Sequence, residues 1–310
     1  MMSVRIQVIG CALFVTVLLT TSQALAQNLF EADFGAGSID EFTPGGGSST
    51  FASGLKHPSG LAFDSQGDLF VADEGTGDIY EYMNDSGMLN SSPIIFASGL
   101  YYPVGLAFNS AGGLFVANNV ANTITEITPG KVQSTFASGL TQPLGLAFDS
   151  AGDLYEADQG THNINEFINS NGILSSSPTV FASGIPEPDG LVFDGAGNLW
   201  VANVDTLYSF SAGSIFEVTP NGAETVITAD PNAPEGIAFD GSGNLFVANL
   251  DSGGITEIAP DGTQSPFAST EGDALAFQNE LLPVPEPSEW ALIGMGAVFI
   301  GRRYLCERIH

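Results

Sequence analysis

The residues best placed to do chemistry in this sequence are three acids that share one position of a recurring segment. The segment reads Gly60-Leu61-Ala62-Phe63-Asp64 and returns at Gly105, Gly145, Gly190 and Gly236, with a degenerate last copy, Ala274-Leu275-Ala276-Phe277. Immediately before these copies stand, in order, Ser59, Val104, Leu144, Asp189, Glu235 and Asp273. Three consecutive copies carry an acid and three do not. Carboxylates brought to about 6 Å repel by roughly 3 kcal/mol per pair at an effective dielectric near 20, so such a trio favours a bound cation or a retained proton. Donors that are all oxygen point to Ca²⁺ or Mg²⁺ rather than zinc.

Elsewhere the material for chemistry is sparse. Asp64, Asp149, Asp194 and Asp240 each stand three residues before a glycine, where an Asp side chain caps a turn. His57 and His162 lie in loops with no Cys or second His beside them, so no zinc motif is present. There is no Gly-x-Ser-x-Gly elbow, phosphate loop or dinucleotide fingerprint. One loop is unusually long: Ala202 and Ile215 are 13 positions apart, against 7 for the equivalent Ala72 and Ile79. The additional residues include Tyr208 and Phe210, which would shield or recognise a ligand on the edge that carries the acids; an ordinary loop insertion is the other reading.

The elements that position these residues follow from the repeat. Successive glycines lie 45, 40, 45 and 46 residues apart, and the degenerate copy begins 38 residues after the last. Each unit continues with a turn and a second apolar segment, such as Gly67-Asp68-Leu69-Phe70-Val71-Ala72-Asp73, then a third, such as Ile79-Tyr80-Glu81-Tyr82. A fourth, Phe-Ala-Ser-Gly, starts at Phe51, Phe96, Phe136 and Phe181. Four short strands in about 40 residues is the period of a propeller blade. Leu69-Phe70-Val71-Ala72 is apolar throughout, as befits a sheet covered on both faces by neighbouring blades. The predicted fold is all-β, a six-bladed β-propeller of four-stranded blades. One blade is shared between the two ends of the mature chain: Leu29, Ile39 and Phe51 lie in a second, third and fourth strand whose missing first strand is Leu275-Ala276-Phe277.

The run from Pro58 through Gly60-Leu61-Ala62-Phe63-Asp64 and Leu69-Phe70-Val71-Ala72-Asp73 resembles the NHL repeat, and the likeness spans nearly the whole mature chain. Pro188-Asp189-Gly190 also resembles the gluconolactonase-like propeller family. That resemblance implies one divalent cation held by carboxylate and amide side chains at the mouth of the central channel, with Asp189 as ligand and Glu235 and Asp273 matched by position.

The two ends carry addresses. Residues 1–26 read as a signal peptide, with Arg5, an apolar stretch from Val8 to Leu19, and the small-residue site Ala24-Leu25-Ala26. Residues 27–283 form the repeat domain. Residues 284–310 contain Val284-Pro285-Glu286-Pro287-Ser288, an apolar segment at 290–301 and a basic end opening with Arg302 and Arg303. This tail resembles a PEP-CTERM sorting signal, which implies an exosortase-type processing protease and a bacterial envelope that makes extracellular polymer. A simple C-terminal anchor is the alternative, yet 12 apolar residues fall short of the roughly 20 a spanning helix needs.

Between Gln27 and Pro283, 32 acids face only Lys56 and Lys131, a balance of −30, so nucleic acid and anionic lipid are poor partners. Both cysteines, Cys11 and Cys306, belong to the ends, so a mature domain outside the cell relies on its core rather than on disulfides. Two functions remain open. The first is a non-catalytic binding or scaffold module at the cell envelope or outer surface, its partner an extracellular polysaccharide or an envelope protein. The alternative is a metal-dependent lactonase or esterase of the gluconolactonase type. If the tail is a sorting signal, replacing Pro285-Glu286-Pro287 with alanines leaves it uncleaved, seen as a heavier product on immunoblots; normal cleavage would refute the assignment.

Overall fold

In a computed structural model of the chain, the described residues are 27–204, 213–230, 233–250, 254–270 and 272–278, together with two strands near the start, Arg5–Ile9 and Ala12–Thr16, which pair antiparallel. Tyr208, Phe210 and the whole of 284–310 lie outside the described residues. No described helix is long and apolar enough to cross a membrane.

The repeat domain is six four-stranded antiparallel sheets. Blade 1 consists of Pro58–Phe63, Leu69–Asp73, Asp78–Tyr82 and Ile94–Ala97, and blades 2 to 5 begin at Pro103, Pro143, Pro188 and Pro234. Blade 6 is assembled from both ends: Ala274–Phe277 pairs with Leu29–Asp33, which continues to Ser38–Phe42 and Ser48–Ser53. The first strand of every blade contacts those of both neighbours, so the ring is closed.

Local chemistry fixes each hairpin. The turn between first and second strands is capped by an Asp or Asn carboxyl or amide oxygen; Asp64 Oδ1 accepts from the N–H groups of Gln66 and Asp68 at 2.8 and 3.0 Å, and Asp149, Asp194 and Asp240 do the same in their blades. The second strand is buried along its length in blades 1, 2, 3 and 5, as its apolar run predicts in blades 1, 2 and 5 and in spite of Glu156 in blade 3. Its last residue is polar, and in blades 1 and 3 it ties the loop that leads into the blade: the Asp73 carboxylate accepts from the N–H groups of Lys56 and His57, and Asp158 from that of Thr141.

Blades are joined by aromatic rings. The aromatic side chain at the second place of each second strand meets the Phe that ends the first strand of the next blade, edge to face: Phe30 with Phe63, Phe70 with Phe108, Phe115 with Phe148, Tyr155 with Phe193, Trp200 with Phe239 and Phe246 with Phe277. Centroids are 4.9 to 5.5 Å apart, a geometry worth about 0.5–1.5 kcal/mol per pair beyond the apolar area it buries.

At the axis the backbones themselves touch. A methyl group on Gly60 would overlap the carbonyl oxygen of Val104, and the same holds for Gly105 against Leu144, Gly145 against Asp189 and Gly190 against Glu235. The repeat glycine is therefore a requirement of close approach. Gly105→Ala is expected to cost about 1–3 kcal/mol by overpacking and to lower the thermal midpoint by roughly 3–10 °C, measured by circular dichroism, whereas the exposed Gly54→Ala, with open space around it but a left-handed backbone, should cost less.

Candidate functional site

All six residues that precede the repeat glycine or its sixth counterpart line the mouth of the central channel, a space of about 110 Å³. The wall has two halves. Blades 4, 5 and 6 contribute Asp189, Glu235 and Asp273; blades 1, 2 and 3 contribute Ser59, Val104 and Leu144. The Ser59 hydroxyl donates to the Pro103 carbonyl at 3.1 Å, which fixes it against the wall.

The acids interact with one another. Burial, and then the nearby Asp273 charge, push Asp189 up to about 7. Although densely surrounded, Asp189 retains some contact with channel water. Asp273 is also raised, by burial first, while hydrogen bonds with the Glu235 carboxyl and from the Phe34 N–H, 3.0 Å from Oδ2, hold it down. Burial outweighs these bonds, so Asp273 holds its proton more readily than a carboxyl in water. Among the described residues, no three His, Cys, Asp or Glu side chains are gathered closely enough to hold a metal ion. Asp189, Glu235 and Asp273 line one space, but they would have to regroup to hold Ca²⁺ or Mg²⁺.

Three residues beside Asp273, which no motif in the sequence marks as a group, complete this edge. Glu74 is raised by burial, pulled back by His57 and raised again by Asp273, which places it on the acidic side of the rim. His57 stacks on Phe34 with centroids 4.4 Å apart and ring planes 11° from parallel. The repeat register held the signal: Phe34 and Glu74 each follow the last residue of a second strand, and His57 precedes the first residue of a first strand, so all three fall on the edge that carries the acids. His162, the other loop histidine, accepts at Nδ1 from the Glu187 N–H at 3.1 Å and serves the backbone between blades 3 and 4.

Two more acids are buried between blades. At the middle of the second strand four blades carry Val71, Val116, Val201 and Val247, but blades 3 and 6 carry Glu156 and Glu31, both fully buried. Burial raises Glu156 to about 8 against a 2.8 Å hydrogen bond from Asn165 Nδ2, with the Asp158 charge adding to the rise. Burial raises Glu31 to about 7, with Thr270 opposing and Asp40, Asp33 and Asp273 adding. Gly272 stands where the other blades have proline and leaves the room that the Glu31 side chain fills.

No protein-family profile matches the sequence, and no curated protein matches it. Solved structures do. A nidogen–laminin complex superposes with a TM-score of 0.69 at 19% identity, over 82% of this chain and 98% of that one. The gluconolactonase XC5397 from Xanthomonas campestris gives 0.60 at 19% identity, over 72% and 79%. Virginiamycin B lyase from Staphylococcus aureus gives 0.58 at 13% identity, over 83% and 94%. At these identities the likeness is one of fold, the six-bladed NHL and gluconolactonase-like propeller.

Glu31, Glu156 and Asp189 are all raised above their unfolded values of about 4, so the folded state keeps protons that the unfolded chain releases. Their contribution is complete below about pH 4 and is lost as pH rises through 7 to 8. The thermal midpoint is expected to fall by roughly 5 °C or more between pH 5 and pH 9, and Glu156→Gln to remove a large part of that fall; an identical pH profile in the variant would contradict the assignment.

Proposed function

We propose that this chain is an exported, non-catalytic binding and scaffold module of the bacterial cell envelope, and that its channel mouth receives a primary alkylammonium group such as a lysine side chain of an envelope protein. Export and sorting rest on the leader at 1–26 and on the tail at 284–310.

The binding reading is carried by one observation: the channel wall is divided into a carboxylate half and an apolar half around about 110 Å³. That volume is below the roughly 300–1,000 Å³ of clefts that enclose organic substrates, and it suits an ammonium head with a short apolar stem. The head would meet Asp189, Glu235 and Asp273 and replace the proton they retain; the stem would lie on Val104 and Leu144. Phe34 and His57 form an aromatic rim beside Glu74. The mouth has little to run a reaction, since Ser59 is engaged with a backbone carbonyl and the described part of the domain has no arginine.

The second reading, hydrolysis of a lactone or ester with a divalent ion, is favoured by the same three acids and by the likeness in fold to a gluconolactonase. Thermal unfolding with n-butylammonium separates the two. A native-state ligand at about 100 times its dissociation constant adds roughly 2.7 kcal/mol, a rise of about 5–10 °C. The rise should vanish in Asp189→Asn and Asp273→Asn. Turnover of δ-gluconolactone that disappears in Asp189→Ala would overturn the non-catalytic assignment.

A further inference from the structure

We propose that the cleft between the outer strands of blades 1 and 2 is a second binding site, and that it takes a neutral pyranose ring. The inference goes beyond the channel-mouth reading and concerns a different surface.

The starting point is one cross-strand pair that every blade possesses. Where the third and fourth strands face each other past the bulge, the pair is Tyr80 with Ile95, Asn165 with Val180, Phe216 with Val226, Thr256 with Pro266 and Asp40 with Thr50 in blades 1, 3, 4, 5 and 6. In blade 2 alone it is Thr125 with Thr135, two hydroxyls. Blades 1 and 4 fill this place with bulky apolar or aromatic groups, whereas in blade 2 both members are small and hydroxylated and a cleft of about 280 Å³ lies beside them.

The cleft is built for hydroxyl groups. Asn118 lies at its floor, only 2% exposed, and its Nδ2 donates to Thr125 Oγ1 at 2.9 Å and to Thr123 Oγ1 at 3.2 Å. A threonine hydroxyl that accepts in this way keeps its own proton to donate, so both present oriented donors to the cleft. Asn118 Oδ1 is buried without a partner, as are the equivalent oxygens of Asn203 and Asn249, so the cleft depends on the hydroxyls that Asn118 orients rather than on this atom. Gln133 donates through Nε2 to the Ser98 carbonyl at 3.3 Å, leaving its oxygen as a further acceptor. Sugar hydroxyls, each both donor and acceptor, match this mixed lining.

Two further observations narrow the ligand. No charged side chain lines the cleft, although the chain carries a net charge of −29; a cation finds no carboxylate there, and an acidic sugar is repelled by the surrounding field. At the rim stands Tyr101, 58% exposed and braced edge to face by Tyr102 at 5.4 Å and 73°. A rigid exposed ring offers a flat apolar face for the C–H side of a pyranose, the use made of tyrosine in adaptable binding surfaces.

The test is calorimetric titration of the full chain with cellotetraose, laminaritetraose, maltotetraose and mannotetraose at up to about 10 mM, the weak range expected of a single-ring site, with tetragalacturonic acid as the charged counterpart. At least one neutral tetrasaccharide should bind. Thr125→Val and Tyr101→Ala should each weaken binding about tenfold or more while leaving the n-butylammonium response unchanged; Tyr101→Ala should also leave the thermal midpoint unchanged, whereas Thr125→Val lowers it by removing an acceptor from buried Asn118. Absence of binding by all four neutral sugars, equal binding of the acidic one, or binding indifferent to both substitutions would overturn the proposal. Loss of the n-butylammonium response in Asp189→Asn bears on the channel mouth alone, so the two sites fail separately.

Discussion

Everything in this ring depends on how closely six first strands approach at the axis. Four repeat glycines lie against a carbonyl oxygen of the next blade with no room for a methyl group, and Gly236 is nearly as close to the carbonyl of Asp273. The residue that supplies each carbonyl is the one before the next glycine or its counterpart. Asp189, Glu235 and Asp273 therefore give their backbones to ring closure and leave only their side chains to the channel. The fold can change the chemistry of its mouth without disturbing its closure, because only the side chain is free to vary.

From that axial contact outward, the interior repeats. Aromatic pairs link each blade to the next at nearly constant distance, and in blades 1 and 3 the acid ending the second strand holds the loop that enters the blade. Against this regular background, departures stand out as physical anomalies. Glu31 and Glu156 occupy places held by valine in the other four blades, where an ionised carboxylate would be costly, and they remain tolerable by holding their protons. The Thr125–Thr135 pair is a different departure: among the six blades it alone places two hydroxyls face to face between the outer strands.

Much of this was legible in the chain because propeller strands are locally encoded. Short apolar strand segments, Asp-x-x-Gly turns and a spacing of 38 to 46 residues recur, and each copy corroborates the others. The closure of blade 6 was legible for the same reason, since an orphan set of strands at one end matched a lone strand at the other. The acids at the mouth were legible by register. His57, Phe34 and Glu74 were not singled out, because a loop residue taken alone gives no sign of what stacks on it or shares its burial.

By itself, then, the sequence determined the all-β class, six blades, the placement of both chain ends in one sheet, and an acidic edge formed by Asp189, Glu235 and Asp273. These follow from short-range periodicity, which each segment of about 40 residues states independently. Only the tertiary structure decided that Asp273 is hydrogen-bonded to Glu235, that the Phe34 N–H binds a carboxylate 239 positions away, that Val104 and Leu144 form an apolar half opposite the acids, and that Asn118 orients two threonines beside a cleft. Such contacts join residues that ring closure brings together across blades, and no local pattern encodes the distance between side chains carried on different blades.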